Sequence, residues 1–313
     1  MKKVLITPRS FRQAGDFTFK LLNENGFEVI ENTTGKTLSE EQMIELCADV
    51  DGLLVGIDPV TERVMKNSPK LKAISKYGAG LDNIDIDAAR SLNIKIDRAA
   101  GTNAVSVAEL AVGLFFTLAR NIVPVSLSTK QGGWERFRGV EITGKTVGIV
   151  GLGMIGQEVA RMTSGLGMKI LAYDPFVDTE SDFIKEYNIE IKELNELISS
   201  ADFLTLHLPL TDSTRFMINS DVLSSMKNTA FVVNTARGEL VDEEALYKAL
   251  SEGTIAGAAS DVFSIEPPGD HPLVKMNNFV LTSHIGAYTA EANIRMAQVA
   301  TENLIRMLKE QSQ

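Results

Sequence analysis

The chain has 313 residues, 44% of them apolar and 23% charged, with a net charge of −10. That length and balance describe a soluble globular protein with room for two cores, and the charge argues against nucleic acid or an anionic membrane as partner. Cys47 is the single cysteine, which excludes an intrachain disulfide and counts against a Cys-based metal site.

MKKVLITPRS leads straight into an apolar run without the length of a signal peptide, and no apolar run reaches 18 residues, so a cytoplasmic chain without a spanning helix is expected. Strands are predicted over 3–7, 27–30, 52–55, 73–76 and 94–97. Helices are predicted between them over 16–25, 38–46 (capped near Thr37 or Ser39), 61–67 and 85–91. Alternation of this kind predicts a parallel sheet covered on both faces. Near residue 98 the texture changes. A long Ala- and Leu-rich helix over 103–120, apolar on most faces, is expected to be buried between domains. The stretch 131–144 reads as connecting structure.

Thr146–Asp174, TVGIVGLGMIGQEVARMTSGLGMKILAYD, is the most informative segment. A strand over 146–150 runs into Gly151, Gly153 and Gly156, a helix pattern follows, and a second strand over 169–173 ends at Asp174. This is the layout of a dinucleotide-binding βαβ unit. Gly151 allows the tight turn, Gly153 the approach of a pyrophosphate, and Gly156 the close packing of helix on sheet. Asp174, 18 residues past Gly156, is placed to accept from the ribose hydroxyls of NAD. Its charge would repel a 2′-phosphate, and Pro175–Val177 contain no cation, so NAD is expected over NADP. A surface Asp opening a turn before Pro175 is the plainer alternative. Further strands are predicted over 203–206, 230–234, 256–261 and 279–282. Further helices are predicted over 194–199, 220–225, 243–251 and 289–309; a crossing of the last back onto the first domain, which periodicity alone does not establish, would make that domain discontinuous.

Ligands of an open parallel sheet bind beyond the strands' carboxyl ends. His207, Arg237, Asp261 with Glu266, and His284 all fall there. Transfer of hydride to a 2-oxo acid needs a cation for the carboxylate and a proton donor of near-neutral pKa. Arg237 fits the first role, since a guanidinium is a permanently charged planar fork. His284 fits the second, with Glu266 bonded to its imidazole and raising its pKa. Each has a plainer reading: Arg237 as a partner of Glu239 or Asp242, Glu266 as solvated, His284 as a packed or surface histidine. His271 reads as structural and the side chain of His207 has no evident task. The pairs Asp82/Asp85 and Asp174/Asp178 read as helix-start and turn acids, and no metal is expected.

The motifs YGAGLDNID (77–85), GTNAVSVAEL (101–110), GLGMIG (151–156), YDP (173–175), HLPLT (207–211), NTARGELVDEEAL (234–246), AASDVFSIEPP (258–268) and HIGAYT (284–289) together resemble the NAD-dependent D-2-hydroxyacid dehydrogenase family. The resemblance implies two doubly wound α/β domains. One is a Rossmann-type cofactor domain over 99–288. The other is a flavodoxin-like, discontinuous substrate domain over 1–98 and 289–313, with a cleft between them. It implies a homodimer, with the helix near 103–119 at the interface. By its pattern Arg237, Glu266 and His284 are catalytic, and Ala79 and Gly80 offer N–H groups to the substrate carboxylate beside Arg237 and His284. Gly151, Gly153, Met154, Ile155, Gly156, Asp174, Leu208, Thr235, Ala236, Asp261, Gly286 and Ala287 would contact NAD, with Asp261 by the nicotinamide carboxamide.

Within the family, GLDNID, KQGGWERFRG (130–139) and ARGELVDEEAL look most like the catalytic portion of 3-phosphoglycerate dehydrogenases. Those usually carry a phosphate-binding Arg in the segment matching Val55–Asp58, where this chain has Gly56 and Asp58. Lys76, Arg138 and Arg9 are the candidate replacements. The chain also stops at Gln313, without the regulatory domain that many of them add. The expectation is therefore a phosphoglycerate-dehydrogenase-like oxidoreductase. Reduction of hydroxypyruvate or glyoxylate is the alternative, and an NADH-sensing interaction protein the alternative of another class. Formate oxidation is disfavoured because family members that perform it place Gln, not Glu, before the His.

Overall fold

A computed structural model describes residues 1–310; Gln311, Ser312 and Gln313 lie outside the described residues, although the expected domain limits include them. The chain divides into two compact units, Met1–Asn103 with Ala287–Gln313, and Ala104–Gly286.

The first unit contains β1 (Lys2–Ile6), α1 (Phe17–Glu24), β2 (Phe27–Glu31), α2 (Glu40–Cys47), β3 (Gly52–Val55), α3 (Glu62–Lys66), β4 (Ala73–Lys76), α4 (Ile86–Ser91) and β5 (Lys95–Arg98). Its five strands are parallel in the order β2-β1-β3-β4-β5, the flavodoxin-like winding. Period-two alternation sorts the side chains: Val4, Ile6 and Leu54 enter one core and Leu5, Leu53 and Val55 the other. Capping sets the helix starts. Ser39 forms a capping box with Gln42 ahead of α2, and Thr61 and Asp85 accept N–H bonds ahead of α3 and α4.

The second unit contains α5 (Ala104–Ala119), α6 (Ile122–Lys130), β6 (Thr146–Val150), α7 (Met154–Gly165), β7 (Lys169–Tyr173), α8 (Asp182–Glu186), β8 (Glu190–Ile191), α9 (Leu194–Ser200), β9 (Phe203–Leu206), α10 (Ser220–Ser225), β10 (Phe231–Asn234), α11 (Glu243–Glu252), β11 (Gly257–Ser260) and β12 (Phe279–Leu281). Its sheet runs β12-β11-β10-β9-β6-β7-β8 and is parallel throughout. The order reverses between β6 and β9, which is the topological switch point of a Rossmann sheet. The buried face of α5 (Ala108, Ala111, Leu114, Phe115) joins Val147, Ile149 and Val159 in one core of this unit. The chain then returns to the first unit as α12 (Ala290–Glu310).

Three of these elements, α6, α8 and β8, were not anticipated. α6 buries no residue and carries Pro124 in its first turn, where the missing N–H is harmless. β8 is two residues long, too short for a period to register.

α12 closes the first unit by laying Ala297, Ala300, Leu304 and Leu308 into the core that holds Val4, Ile6 and Leu54. Gly52 makes the approach possible: a Cβ there would lie 2.8 Å from Leu308 Cδ1 and 3.1 Å from Leu304 Cδ1. Gly52→Ala is therefore expected to destabilise the chain by roughly 1–3 kcal/mol through overpacking, read as a lower urea midpoint at unchanged slope.

Candidate active site

The second unit's strands all end on one edge, and the loops there are tied to one another. Gly151 leaves β6 at φ +97, in contact with the His207 backbone after β9; a Cβ would fall 2.7 Å from the His207 carbonyl oxygen. At Gly156 a Cβ would fall 2.1 Å from the Gly151 carbonyl oxygen. Both glycines are thus fixed by packing. Gly153 is different, because a side chain there would meet nothing within 4 Å. Gly153 caps α7 without a side-chain hydrogen bond, which leaves the positive end of the helix facing that open space.

Asp174 at the end of β7 accepts from Leu152 N–H at 2.9 Å with one oxygen and from Phe176 N–H at 2.9 Å with the other. It ties the glycine loop to β7 and also opens the turn after it, so the plainer turn-forming role is real. A carboxylate oxygen has a second lone pair for a ribose hydroxyl.

Arg237 follows β10 and is half-buried. Asn234 shapes its turn, donating Nδ2–H to the Arg237 carbonyl at 2.8 Å and accepting from Ala236 N–H at 3.0 Å. Glu266 Oε1 accepts from Phe263 N–H at 3.0 Å, and its Oε2 lies 2.8 Å from His284 Nδ1. Burial works to raise the Glu266 pKa, but the bonds from His284 and Phe263 N–H, with the charges of His284 and Arg237, leave it below the usual carboxylate value. The bond to Glu266 raises the His284 pKa; burial opposes this, Glu266 and Asp261 add to it through their charge, and Arg237 subtracts. With Nδ1 on Glu266, Nε2 is the atom left to meet a substrate.

His284 sits at φ +55, a conformation that costs an L residue roughly 1–2 kcal/mol. Asp261 enforces it. The Asp261 carbonyl accepts from His284 N–H at 2.8 Å. Its carboxylate, 2% exposed, accepts from Thr282 Oγ1, from Ile285 N–H at 2.9 Å and from Gly286 N–H at 2.8 Å. The sequence placed Asp261 beside the cofactor but did not reveal this hold on the histidine loop, nor the part of Asn234. The Gly286 N–H expected near NAD is spent on Asp261.

His207 is half-buried with its Nδ1 enclosed, and desolvation of the ring pushes its imidazole down to about 3 and keeps it neutral; its Nε2 lies 3.0 Å from Thr205 Oγ1. His271 caps the short 3-10 helix Pro272–Lys275, accepting from Leu273 N–H at 3.3 Å, as its structural reading required. Met154 is exposed, Ile155, Leu208 and Ala236 are half-buried, and Thr235 is buried, all at or next to this edge. A dinucleotide fits these residues. Besides the open glycine loop, His207 Nδ1 and Thr235 Oγ1 are buried polar atoms without a hydrogen-bond partner, after β9 and β10 on the same edge.

In the first unit Ala79 and Gly80 follow β4, and the Ala79 carbonyl accepts from Arg98 at 3.0 Å. Ala287 also belongs to this unit. Asp58 is 3% exposed and accepts from Thr7 Oγ1 and from Leu38 N–H at 2.8 Å. Its carboxylate is therefore satisfied by donors within the unit. Lys76 is buried, with Nζ on the Gly56 carbonyl and Asn83 Oδ1. Arg9 is exposed in this unit and Arg138 exposed in the other. Asp85 caps α4 and Asp178 accepts from Glu180 N–H, the helix-start and turn roles read from sequence.

Residues 112–286 match the model of the D-isomer specific 2-hydroxyacid dehydrogenase, NAD binding domain. The chain is 41% identical to the D-3-phosphoglycerate dehydrogenase of Methanocaldococcus jannaschii over 99% of its own length and 58% of that protein's, so it spans little more than half of that relative. It is also 41% identical to the hydroxypyruvate reductase of Thermotoga maritima, over 92% of this chain and 93% of that one. A solved structure, the TT0316 protein of Thermus thermophilus, superposes with a TM-score of 0.88 at 33% identity, covering 98% and 97% of the two chains. The chain belongs to the D-isomer specific 2-hydroxyacid dehydrogenase family, and its second unit is the family's NAD-binding domain.

Asp261→Asn sets an amide NH2 group against backbone N–H donors. It is expected to cost roughly 1–3 kcal/mol of stability and to weaken the His284–Glu266 bond, seen as a lower urea midpoint together with an altered imidazole titration.

Proposed function

We propose that the chain interconverts a small D-2-hydroxy acid and its 2-oxo acid with NAD. The observation that carries this reading is the His284 Nδ1–Glu266 Oε2 pair at 2.8 Å, on the sheet edge that bears the open glycine loop and Arg237. The bound dinucleotide supplies hydride chemistry at its nicotinamide ring. Arg237 holds the substrate carboxylate by its planar fork and polarises the neighbouring carbonyl. His284 gives the carbonyl oxygen a proton from Nε2 during reduction and takes it back during oxidation, while Glu266 stabilises the imidazolium. Asp174, without a cation in Pro175–Val177, supports NAD over NADP. Exposed Phe116, Ile122, Val123, Leu127 and Trp134 support a homodimer.

Within this reaction class, the motifs shared with phosphoglycerate dehydrogenases support 3-phosphoglycerate as substrate. A second reading, reduction of hydroxypyruvate or glyoxylate, is favoured by one observation. Gly56 stands where a phosphate-binding Arg is usual, and Lys76 beside it is buried on Gly56 and Asn83.

Initial rates of NADH oxidation with 3-phosphohydroxypyruvate, hydroxypyruvate, glyoxylate and pyruvate decide among these. A higher kcat/KM for the phosphorylated acid supports the first reading, and preference for an unphosphorylated acid the second. Absence of turnover on all four, with NADH still bound, would sink the dehydrogenase reading and favour an NADH-sensing protein. Arg237→Ala is expected to lower kcat/KM by about 100-fold or more. Reduction uses protonated His284, whose pKa is raised. So kcat/KM for reduction is full at low pH and falls as pH rises through that raised value, while oxidation gains over the same range. A pH profile flat in both directions through the imidazole range contradicts the proton-donor role.

A further inference from the structure

Glu243 has no part in the chemistry above, and as the first residue of α11 it would ordinarily be read as a first-turn acid. The helix start does not need it for capping. Asp242 accepts from the N–H groups of Glu244 and Ala245, and Glu244 is a second first-turn acid. The Glu243 carboxylate turns instead to the loop between β11 and β12. Its Oε1 accepts from Ser264 N–H at 2.7 Å, and its Oε2 lies 3.4 Å from His271 Nε2, with the Glu243 side chain only 17% exposed. His271 Nδ1 accepts from Leu273 N–H, so Nε2 is the ring nitrogen left to face Glu243 with a proton. One carboxylate thus reaches both ends of the segment 264–271 that carries Glu266.

Phe263, whose carbonyl is joined to the Ser264 N–H, links this contact to the site. Phe263 N–H holds Glu266 Oε1 at 3.0 Å. The next peptide, Phe263–Ser264, lies against Gly238, where a Cβ would fall 2.0 Å from the Phe263 carbonyl carbon, and Gly238 directly follows Arg237. A side chain at 238 would force the two loops apart.

We propose that Glu243 is a positioning residue: by anchoring the Ser264 N–H it fixes Phe263, whose own N–H, one peptide earlier, orients Glu266, and so holds Glu266 on His284 and the loop against the Arg237 turn. For turnover this rests on the dehydrogenase reading, but the geometry of the Glu266–His284 pair is measurable without turnover. The chain has three histidines, so the imidazole signals of the full chain can be assigned and titrated by NMR. The charged groups facing His284 are Glu266, Asp261 and Arg237; Glu243 bears on the loop of Glu266 and, through it, on the Arg237 turn, whereas Asp261 is held by Thr282, Ile285 and Gly286.

The test compares wild type with Glu243→Ala, Glu243→Asp and Glu243→Gln. Glu243→Asp keeps a first-turn acid but is one carbon too short to reach Ser264, and it decides the matter if Glu243→Ala does not fold. Glu243→Gln keeps an acceptor for the Ser264 N–H. The expected result is a His284 midpoint that falls toward the ordinary imidazole value in the Ala and Asp variants and stays near wild type in Gln. In the same two variants kcat is expected to fall about tenfold, with the pH limb of oxo-acid reduction moved downward. A His284 midpoint unchanged in Glu243→Asp overturns the proposal, as does lowered thermal stability in both short variants without movement of that midpoint. If the wild type turns over no oxo acid yet the midpoint moves with Glu243, the dehydrogenase reading fails and the positioning role stands.

Discussion

The carboxylate of Asp261 is buried beneath the loop that carries His284, and a buried charge is tolerated only where donors replace the water it has lost. Here the donors are the Thr282 hydroxyl and the N–H groups of Ile285 and Gly286, all from the segment leaving β12. Satisfying the charge and shaping the loop are one event. Bringing those donors onto one carboxylate bends the chain so that His284 adopts φ +55 and meets Glu266. The site's proton-handling pair therefore depends on an acid that has no need to touch a substrate.

The same economy recurs across the sheet edge. Asp174 holds the glycine loop with one oxygen and its own turn with the other. Asn234 uses its amide to close the Arg237 turn. Glu243 reaches from α11 to the loop bearing Glu266. In each case a short polar side chain at or near a strand or helix end satisfies backbone groups that the regular structure leaves unpaired. The parallel sheet sets the requirement, because it delivers the loops that follow its strands to one edge, where regular strand pairing runs out.

Much of this was legible in the sequence where a residue's type follows from local backbone demands. The strands β3, β4, β6, β7 and β9 stand where apolar runs placed them, and the glycines of the βαβ unit follow from contacts within one short segment. Arg237, Glu266 and His284 were legible as candidates because each lies just beyond a strand. Asp261, Asn234 and Glu243 were harder, since an acid or amide at an element's end has the same pattern whether it caps its own turn or braces another loop. The bonds of Asp58 were hidden for a related reason. Its place in the sequence put a charge near the sheet edge, whereas its bonds to Thr7 and Leu38 depend on how three separate segments meet. α6 lacked any signal, burying nothing and carrying a proline.

The return of α12 to the first unit bears on how the chain is made. That helix supplies Ala297, Ala300, Leu304 and Leu308 to one of the two cores of the first sheet, yet it follows the whole of Ala104–Gly286 in sequence. On a ribosome, β1 to β5 emerge before the second unit and wait, with one apolar face covered only in part by Phe11 and Leu22, while that unit, continuous in sequence, is synthesised. The second unit has all its strands available before α12 appears, so vectorial synthesis favours its completion first. Over that interval the early sheet is the chain's point of exposure to chaperones and to aggregation.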